Sequence, residues 1–237
     1  MGRSRKAPVG VEKKSILSLN GIHKHFSIAG NRITVINGLS LELNEGEIVA
    51  ITGKSGCGKS TLLNIITGIT RPDDGHIILK GKRIRYRSDM FMSRLRNREI
   101  GQIFQTFRLL EDESVISNLM MPARIKGNAG SPVREYALEI LGRTGMSEYV
   151  NTRTGLLSGG QKQRVAISRA IVNRPSLILA DEPDANLDTA TSQEIFKQLE
   201  MLRDEGKSIL IVTHKDYMLK HADRTYTMEN GVLRLIK

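Results

Sequence analysis

Residues 48–68 read IVAITGKSGCGKSTLLNIITG, and inside them Gly53-Lys54-Ser55-Gly56-Cys57-Gly58-Lys59-Ser60 fits G-x-x-x-x-G-K-[ST] at every fixed position. The β-branched run Ile48–Thr52 predicts a strand entering this turn, and Ser60–Gly68 predicts the helix leaving it. Glycines let successive backbone N–H groups turn inward onto phosphate oxygens, and the following helix aims its N-terminal dipole at the same charge. Lys59 is placed to reach the β- and γ-phosphates, the Ser60 hydroxyl to ligate Mg²⁺, and Thr61 to meet the α-phosphate. Nucleotide binding follows from this loop, while GTPases, kinases and motor ATPases all remain open. Cys57 lies within it, so a bulky thiol adduct is expected to compete with nucleotide; the alternative is a small, inert residue.

A second stretch, Leu177-Ile178-Leu179-Ala180-Asp181-Glu182, is a buried-strand pattern ending in two acids. Packing does not explain paired carboxylates at a strand end, because desolvating charge is costly. Open α/β sheets bind ligands at this edge. Asp181 is expected to hold Mg²⁺ through water, and Glu182 to act as general base on the attacking water. A helix N-cap or a solvated turn before Pro183 is the alternative for this pair.

Around these two sites the chain alternates strands and helices. Ile16–Asn20 and Leu39–Leu43 alternate apolar and polar residues as half-exposed strands do, and Asp73-Asp74-Gly75 turns into a strand at His76–Lys80. From 89 to 155 strand patterns become sparse and helical stretches such as Val133–Arg143 sit between Pro and Gly breakers, which predicts a mostly helical insertion. Strands resume at Leu177–Ala180 and Ile209–Thr213, separated by an amphipathic helix at Thr189–Arg203, as in a largely parallel sheet.

The chain has 237 residues, 39% hydrophobic, which suits one large domain with an ordinary core. One cysteine excludes an intramolecular disulfide framework and fits a reducing compartment. No apolar run approaches the roughly 20 residues of a membrane span, and the first residues show neither a secretory core nor, with Lys6 in place, a myristoylation pattern. A cytoplasmic protein is expected, any membrane role coming through a partner. The formal charge is +11; Arg3, Arg5, Lys6, Lys13 and Lys14 fall in an arm at 1–14 expected to be disordered, and five more cluster between Lys80 and Arg87. Aromatic residues make up only 4%, too few for a base-stacking platform, so a solvated or lipid-facing surface is expected and no direct nucleic-acid partner.

Leu157-Ser158-Gly159-Gly160-Gln161 opens an apparent helix, Gln161–Val172, and the run LSGGQKQRVAISRAIVNRPSLILADEP resembles the signature-to-Walker-B block of ABC ATPases almost residue for residue. The resemblance covers residues 15–237. It implies an α/β fold: a P-loop (RecA-like) nucleoside triphosphatase core with an antiparallel β subdomain and an inserted α-helical subdomain. It also implies ATP and Mg²⁺, and a homodimer or pseudo-dimer in which Ser158, Gly159, Gly160 and Gln161 meet the ATP of the opposite subunit. Gln105, in IGQIFQ, resembles the Q-loop glutamine that contacts Mg²⁺ and senses the γ-phosphate. Asn186-Leu187-Asp188 resembles the D-loop, which crosses the dimer interface. His214, in IVTH, resembles the switch histidine, the alternative being a strand-end cap, and Phe26 matches the adenine-stacking aromatic, the alternative being core packing.

Lys59, Gln105, Glu182 and His214 are thus the expected catalytic residues, with Ser60, Gln105 and Asp181 for the metal. The chain departs from the family at two positions. Asp184 follows Asp-Glu-Pro where Thr is usual, which should tune electrostatics more than remove activity, and Phe26 replaces the commoner tyrosine. Within the family the chain looks most similar to the ATPases of lipoprotein-releasing, macrolide-exporting and cell-division systems. The expectation is an ATPase on the inner face of the cell membrane, driving an integral permease of the lipoprotein, peptide or drug export or extraction type. An ATPase regulating an extracytoplasmic hydrolase or sensor uses the same cassette, and a soluble nucleic-acid- or ribosome-associated ATPase is a third reading.

Overall fold

The computed structural model describes residues 14–28, 30–185 and 187–237; the arm expected at 1–14 falls outside them except for Lys14, as does Asn186. The centre is a six-stranded sheet in the order β10-β9-β3-β8-β7-β6. Its strands are β3 (Ile48–Thr52), β6 (Ile100–Ile103), β7 (Leu177–Asp181), β8 (Ser208–Val212), β9 (Arg224–Glu229) and β10 (Val232–Leu235). All neighbours are parallel except the β9–β10 hairpin.

Period-2 alternation splits each central strand between two cores. Val49, Ile51, Leu177, Leu179, Leu210 and Val212 face one core, where they meet α1 (Lys59–Ile66) and a second sheet. Ile48, Ala50, Ile178, Ala180, Ile209 and Ile211 face the other, with α3 (Val115–Ile125), α4 (Ser131–Arg143), α5 (Gly159–Ile171), α6 (Thr189–Asp204) and α7 (Asp216–His221). Burial on both faces is why these strands read as unbroken apolar runs.

The second sheet is antiparallel, in the order β2-β1-β4-β5, from β1 (Ser15–Ile28), β2 (Asn31–Asn44), β4 (Asp74–Leu79) and β5 (Lys82–Arg83). Here β1 and β2 run far beyond the predicted Ile16–Asn20 and Leu39–Leu43. Register shifts flank Ile22, beside Gly21 at φ +56°, and they break the alternation that a sequence pattern needs. After the shift Ile22 is buried three residues beyond Leu19 rather than two.

The stretch 89–155 holds α2 (Asp89–Glu99), α3 and α4 but also β6, the edge strand of the central sheet, paired in parallel with β7. Four residues are too few for a periodic signal. Gly101 lies so close to α5 that a Cβ would collide with the Ala170 carbonyl. Among the described residues no helix is long and apolar enough to cross a membrane.

Phe196 of α6 is among the largest fully buried side chains, with Tyr217 edge-on at 5.7 Å between ring centroids. Phe196→Ala is expected to lower stability by about 3–5 kcal/mol, read by urea unfolding; a loss under about 1 kcal/mol would mean this core is loosely packed.

Candidate active site

Parallel pairing sets the site. Ile51 is opposite Val212, and Val212 opposite Asp181, so β3, β8 and β7 end at one level. The Thr213 amide donates to the Ile51 carbonyl at 3.1 Å and the Glu182 amide to the Val212 carbonyl at 2.8 Å. The loop after β3, the acids after β7 and the histidine after β8 therefore share one edge of the sheet.

The loop from Gly53 to Gly58 uses its glycines for different reasons. A Cβ on Gly53 would strike the Met228 carbonyl, and one on Gly58 would lie 2.8 Å from the Val35 carbonyl. Gly58 also caps α1 at φ 109°, a conformation that disfavours side chains. The helix consequently starts with no side-chain cap and its first N–H groups are left for an anion. The Lys59 ammonium donates to the carbonyls of Gly53 (2.6 Å) and Lys54 (3.0 Å) and sits 3.9 Å from the Cys57 sulfur.

Asp181 is half-buried and bonded to the Ser60 side chain. Burial raises its pKa above the usual carboxylate value; the Ser60 bond opposes this, nearby Glu182 adds to it, and Lys59 offsets part of it. Glu182 adopts φ +45°, an uncommon conformation for a residue with a side chain. Its two carboxylate oxygens have separate neighbours: Gln105 Nε2 donates to one at 3.1 Å, and His214 Nε2 lies 3.3 Å from the other. Gln105 follows β6, so four strand ends supply this cluster.

Ser158, Gly159, Gly160 and Gln161 are not bonded to the 53–61 loop among the described residues. Ser158 and Gln161 form a reciprocal capping box at the start of α5, and a Cβ on Gly160 would lie 2.9 Å from Thr191. Asp188 caps α6, accepting from the Thr191 amide (3.0 Å) and hydroxyl (2.6 Å), and these bonds hold its pKa low. Phe26 is 39% exposed, which excludes deep core packing, with the Lys24 ammonium 5.3 Å from its ring centroid. Its hairpin partner Ile33 lines a cleft of about 470 Å³ together with Lys54–Cys57 and the turn at Glu229–Gly231.

Two features carry no signal in the sequence. Arg169, near the end of α5, donates to the carbonyls of Phe107 (2.7 Å) and Arg108, clamping the left-handed turn that follows Gln105; burial and Arg108 push its pKa down to about 10. One arginine within a helix carries no motif signal. Asp184, the departure from the usual Thr, is only 2% exposed, a burial its sequence context does not signal. One oxygen lies 3.5 Å from the Thr213 hydroxyl, which in turn accepts from the Lys215 amide; Oδ2 has no hydrogen-bond partner among the described residues.

The family profile described as ABC transporter matches residues 36–185. The lipoprotein-releasing system ATP-binding protein LolD of Bacteroides thetaiotaomicron is 39% identical over 220 residues, covering 92% of this chain and 99% of that protein. The macrolide export ATP-binding/permease protein MacB of Chlorobium luteolum is also 39% identical, over 92% of this chain, which spans only 33% of that protein's length. The dimeric structure of MJ0796, a bacterial ABC transporter cassette, superposes with a TM-score of 0.85 at 33% identity, covering 93% of this chain and 98% of that one. The same cassette in a post-hydrolysis state with ADP and Pi gives 0.85 at 32% identity. The resemblance and the fold class read from sequence are both borne out.

Burial raises the Asp184 pKa, so its carboxyl contributes stability that is full below the ordinary carboxylate range and is lost as pH rises through the folded value. Asp184→Asn, which copies the protonated form, is expected to be more stable than wild type at pH 8 by on the order of 1 kcal/mol. Thermal unfolding against pH should show that gap closing toward pH 4; a gap independent of pH would mean the carboxyl is compensated.

Proposed function

The chain belongs to the ABC transporter family as an ATP-binding, ATP-hydrolysing subunit, and from that premise we propose that two copies close around two MgATP and drive a membrane permease. The observation that carries this is Glu182, held between Gln105 and His214 beside the phosphate loop. The triphosphate lies along Gly53, Lys54, Ser55, Gly56, Cys57 and Gly58 and the start of α1, and Lys59 exchanges its two carbonyl partners for β- and γ-phosphate oxygens. Thr61 meets the α-phosphate, and Phe26 offers its exposed ring face to adenine.

Mg²⁺ suits the oxygen donors gathered here: the Ser60 hydroxyl, the Gln105 amide oxygen and Asp181, whose charge burial disfavours and a cation would restore. Once bound, the ion neutralises charge on the phosphates. Glu182 takes a proton from the attacking water. Gln105 and His214 fix which carboxylate lone pair faces that water, and His214 also meets the γ-phosphate. Ser158, Gly159, Gly160 and Gln161 present a helix N-terminus to the partner's ATP, with Asp188 near the same interface. Losing the γ-phosphate contacts removes what favours the closed dimer.

The permease is assigned a groove between α2, α3 and α5, lined by Arg96, Phe104, Arg108, Met121, Pro122 and Ile125. Ile125 is largely exposed on its rim. Arg169 connects this groove to the nucleotide site by clamping the turn after Gln105. The relatives' names, lipoprotein-releasing and macrolide export, favour a permease that releases lipoprotein or exports a macrolide-like drug.

Glu182→Gln is expected to lower kcat by about 10²–10⁴-fold while nucleotide binding persists, read by phosphate release and a fluorescent ATP analogue. A tagged Glu182→Gln chain, taken from membranes with ATP, should bring down a polytopic membrane protein, and adding Ile125→Glu should lose it. Recovery of ribosomes or DNA instead would overturn the permease assignment.

A further inference from the structure

A cleft lies on the far side of α2 from the groove assigned to the permease. It measures about 510 Å³, and six cations line it: Lys80, Lys82, Arg83, Arg85, Arg87 and Arg98. Glu99 is the one carboxylate among its lining residues, and it is already shared between Lys80 (3.1 Å) and Arg98 (3.1 Å). Lys82, Arg83, Arg85 and Arg87 make no ion pair among the described residues. The floor is apolar, from Leu79, Ile84 and Leu95. At the rim, the first turn of α2 leaves Met90 65% and Phe91 42% exposed, with the Arg87 guanidinium 5.7 Å from the Phe91 ring centroid.

Unpaired cations and an exposed Met–Phe pair thus lie side by side. Position narrows the partner. Ser93, Arg96 and Asn97 of α2 line the groove assigned to the permease, whereas Phe91, Leu95 and Arg98 of the same helix line the basic cleft. One helix diameter, about 10 Å, thus separates the cleft from the groove assigned to the permease. Cations flanking a short apolar wedge are the pattern of a peripheral lipid contact. A nucleic-acid groove would need stacking platforms, and the aromatics lining this cleft and its neighbour over β4 are Phe91 and Tyr86, the latter bonded to the Ile65 carbonyl.

We propose that this cleft, with Phe91 in its lining and Met90 exposed beside it, is a docking surface for the phosphate headgroups of anionic phospholipids. It rests on the permease reading only for its orientation. Lipid contact here would hold α2, and with it one wall of the permease groove, against the bilayer.

The test is co-sedimentation of the full chain with vesicles of phosphatidylglycerol and phosphatidylethanolamine, against vesicles of phosphatidylcholine. Binding to the anionic vesicles alone is expected, weakening as salt rises. The triple variant Lys82→Glu, Arg85→Glu, Arg87→Glu should lower it by about tenfold or more, and Met90→Ser with Phe91→Ser should lower it with the charge intact. Both should keep wild-type basal ATPase activity, which reports that they fold. Neutralising Arg3, Arg5, Lys6, Lys13 and Lys14 should leave most of the binding.

Equal binding to neutral vesicles, an unaffected triple variant, or loss only in the arm variant would overturn the proposal. So would a triple variant that loses RNA or DNA binding but keeps the vesicles. Failure of the permease reading shows separately, as no membrane protein copurifying with a chain that still binds vesicles.

Discussion

The parallel pairing of β3, β8 and β7 is the constraint from which the rest of the molecule follows. Two backbone bonds, Thr213 to Ile51 and Glu182 to Val212, carry that pairing past the last strand residues into the loops. They hold the phosphate loop, the acidic pair and His214 at one height without any side chain having to reach far. Burial of these strands on both faces makes the arrangement stiff: a one-residue slip would move every apolar side chain into the opposite core. A cluster assigned to catalysis and drawn from four strand ends needs such stiffness, because misplacement by an ångström is costly to reaction geometry.

Three of the six described non-glycine residues in left-handed backbone space lie at that cluster. Glu182 occupies left-handed backbone space, and so do Phe107 and Arg108 just beyond Gln105. The second of these turns is tied down by Arg169, whose helix begins at Ser158. One rigid helix thus joins the residues assigned to the partner's ATP, the turn after the glutamine that touches Glu182, and the groove assigned to the permease. That is a contiguous physical connection between two surfaces, and a shift of α5 would be felt at both.

Much of this was legible in the sequence because the site is built from short, contiguous segments. The loop at 53–60, the run 177–182 and the stretch at 157–161 each combine a strand or helix signal with residue types that suit phosphate or metal chemistry. The central strands were legible because two-sided burial leaves nothing polar to interrupt them. What stayed hidden depends on distance in sequence. Ile100–Ile103 is a strand only because β7 lies beside it, and the long β1–β2 hairpin hides behind register shifts near Gly21. Asp184 looks like a surface acid until Thr213 is found against it, and Arg169 looks like an ordinary helix arginine until the turn it clamps is in view.

The central claim is that each ATP is enclosed by two copies, with the loop of one and the Ser158 end of the other. The direct measurement is ATPase activity of a mixture of Lys59→Ala and Ser158→Arg chains, each inactive alone. A sandwich predicts that activity returns on mixing, because the mixed dimer has one site carrying both defects and one carrying neither. A mixture no more active than its separate components, or a Ser158→Arg chain that hydrolyses ATP normally by itself, would contradict the account.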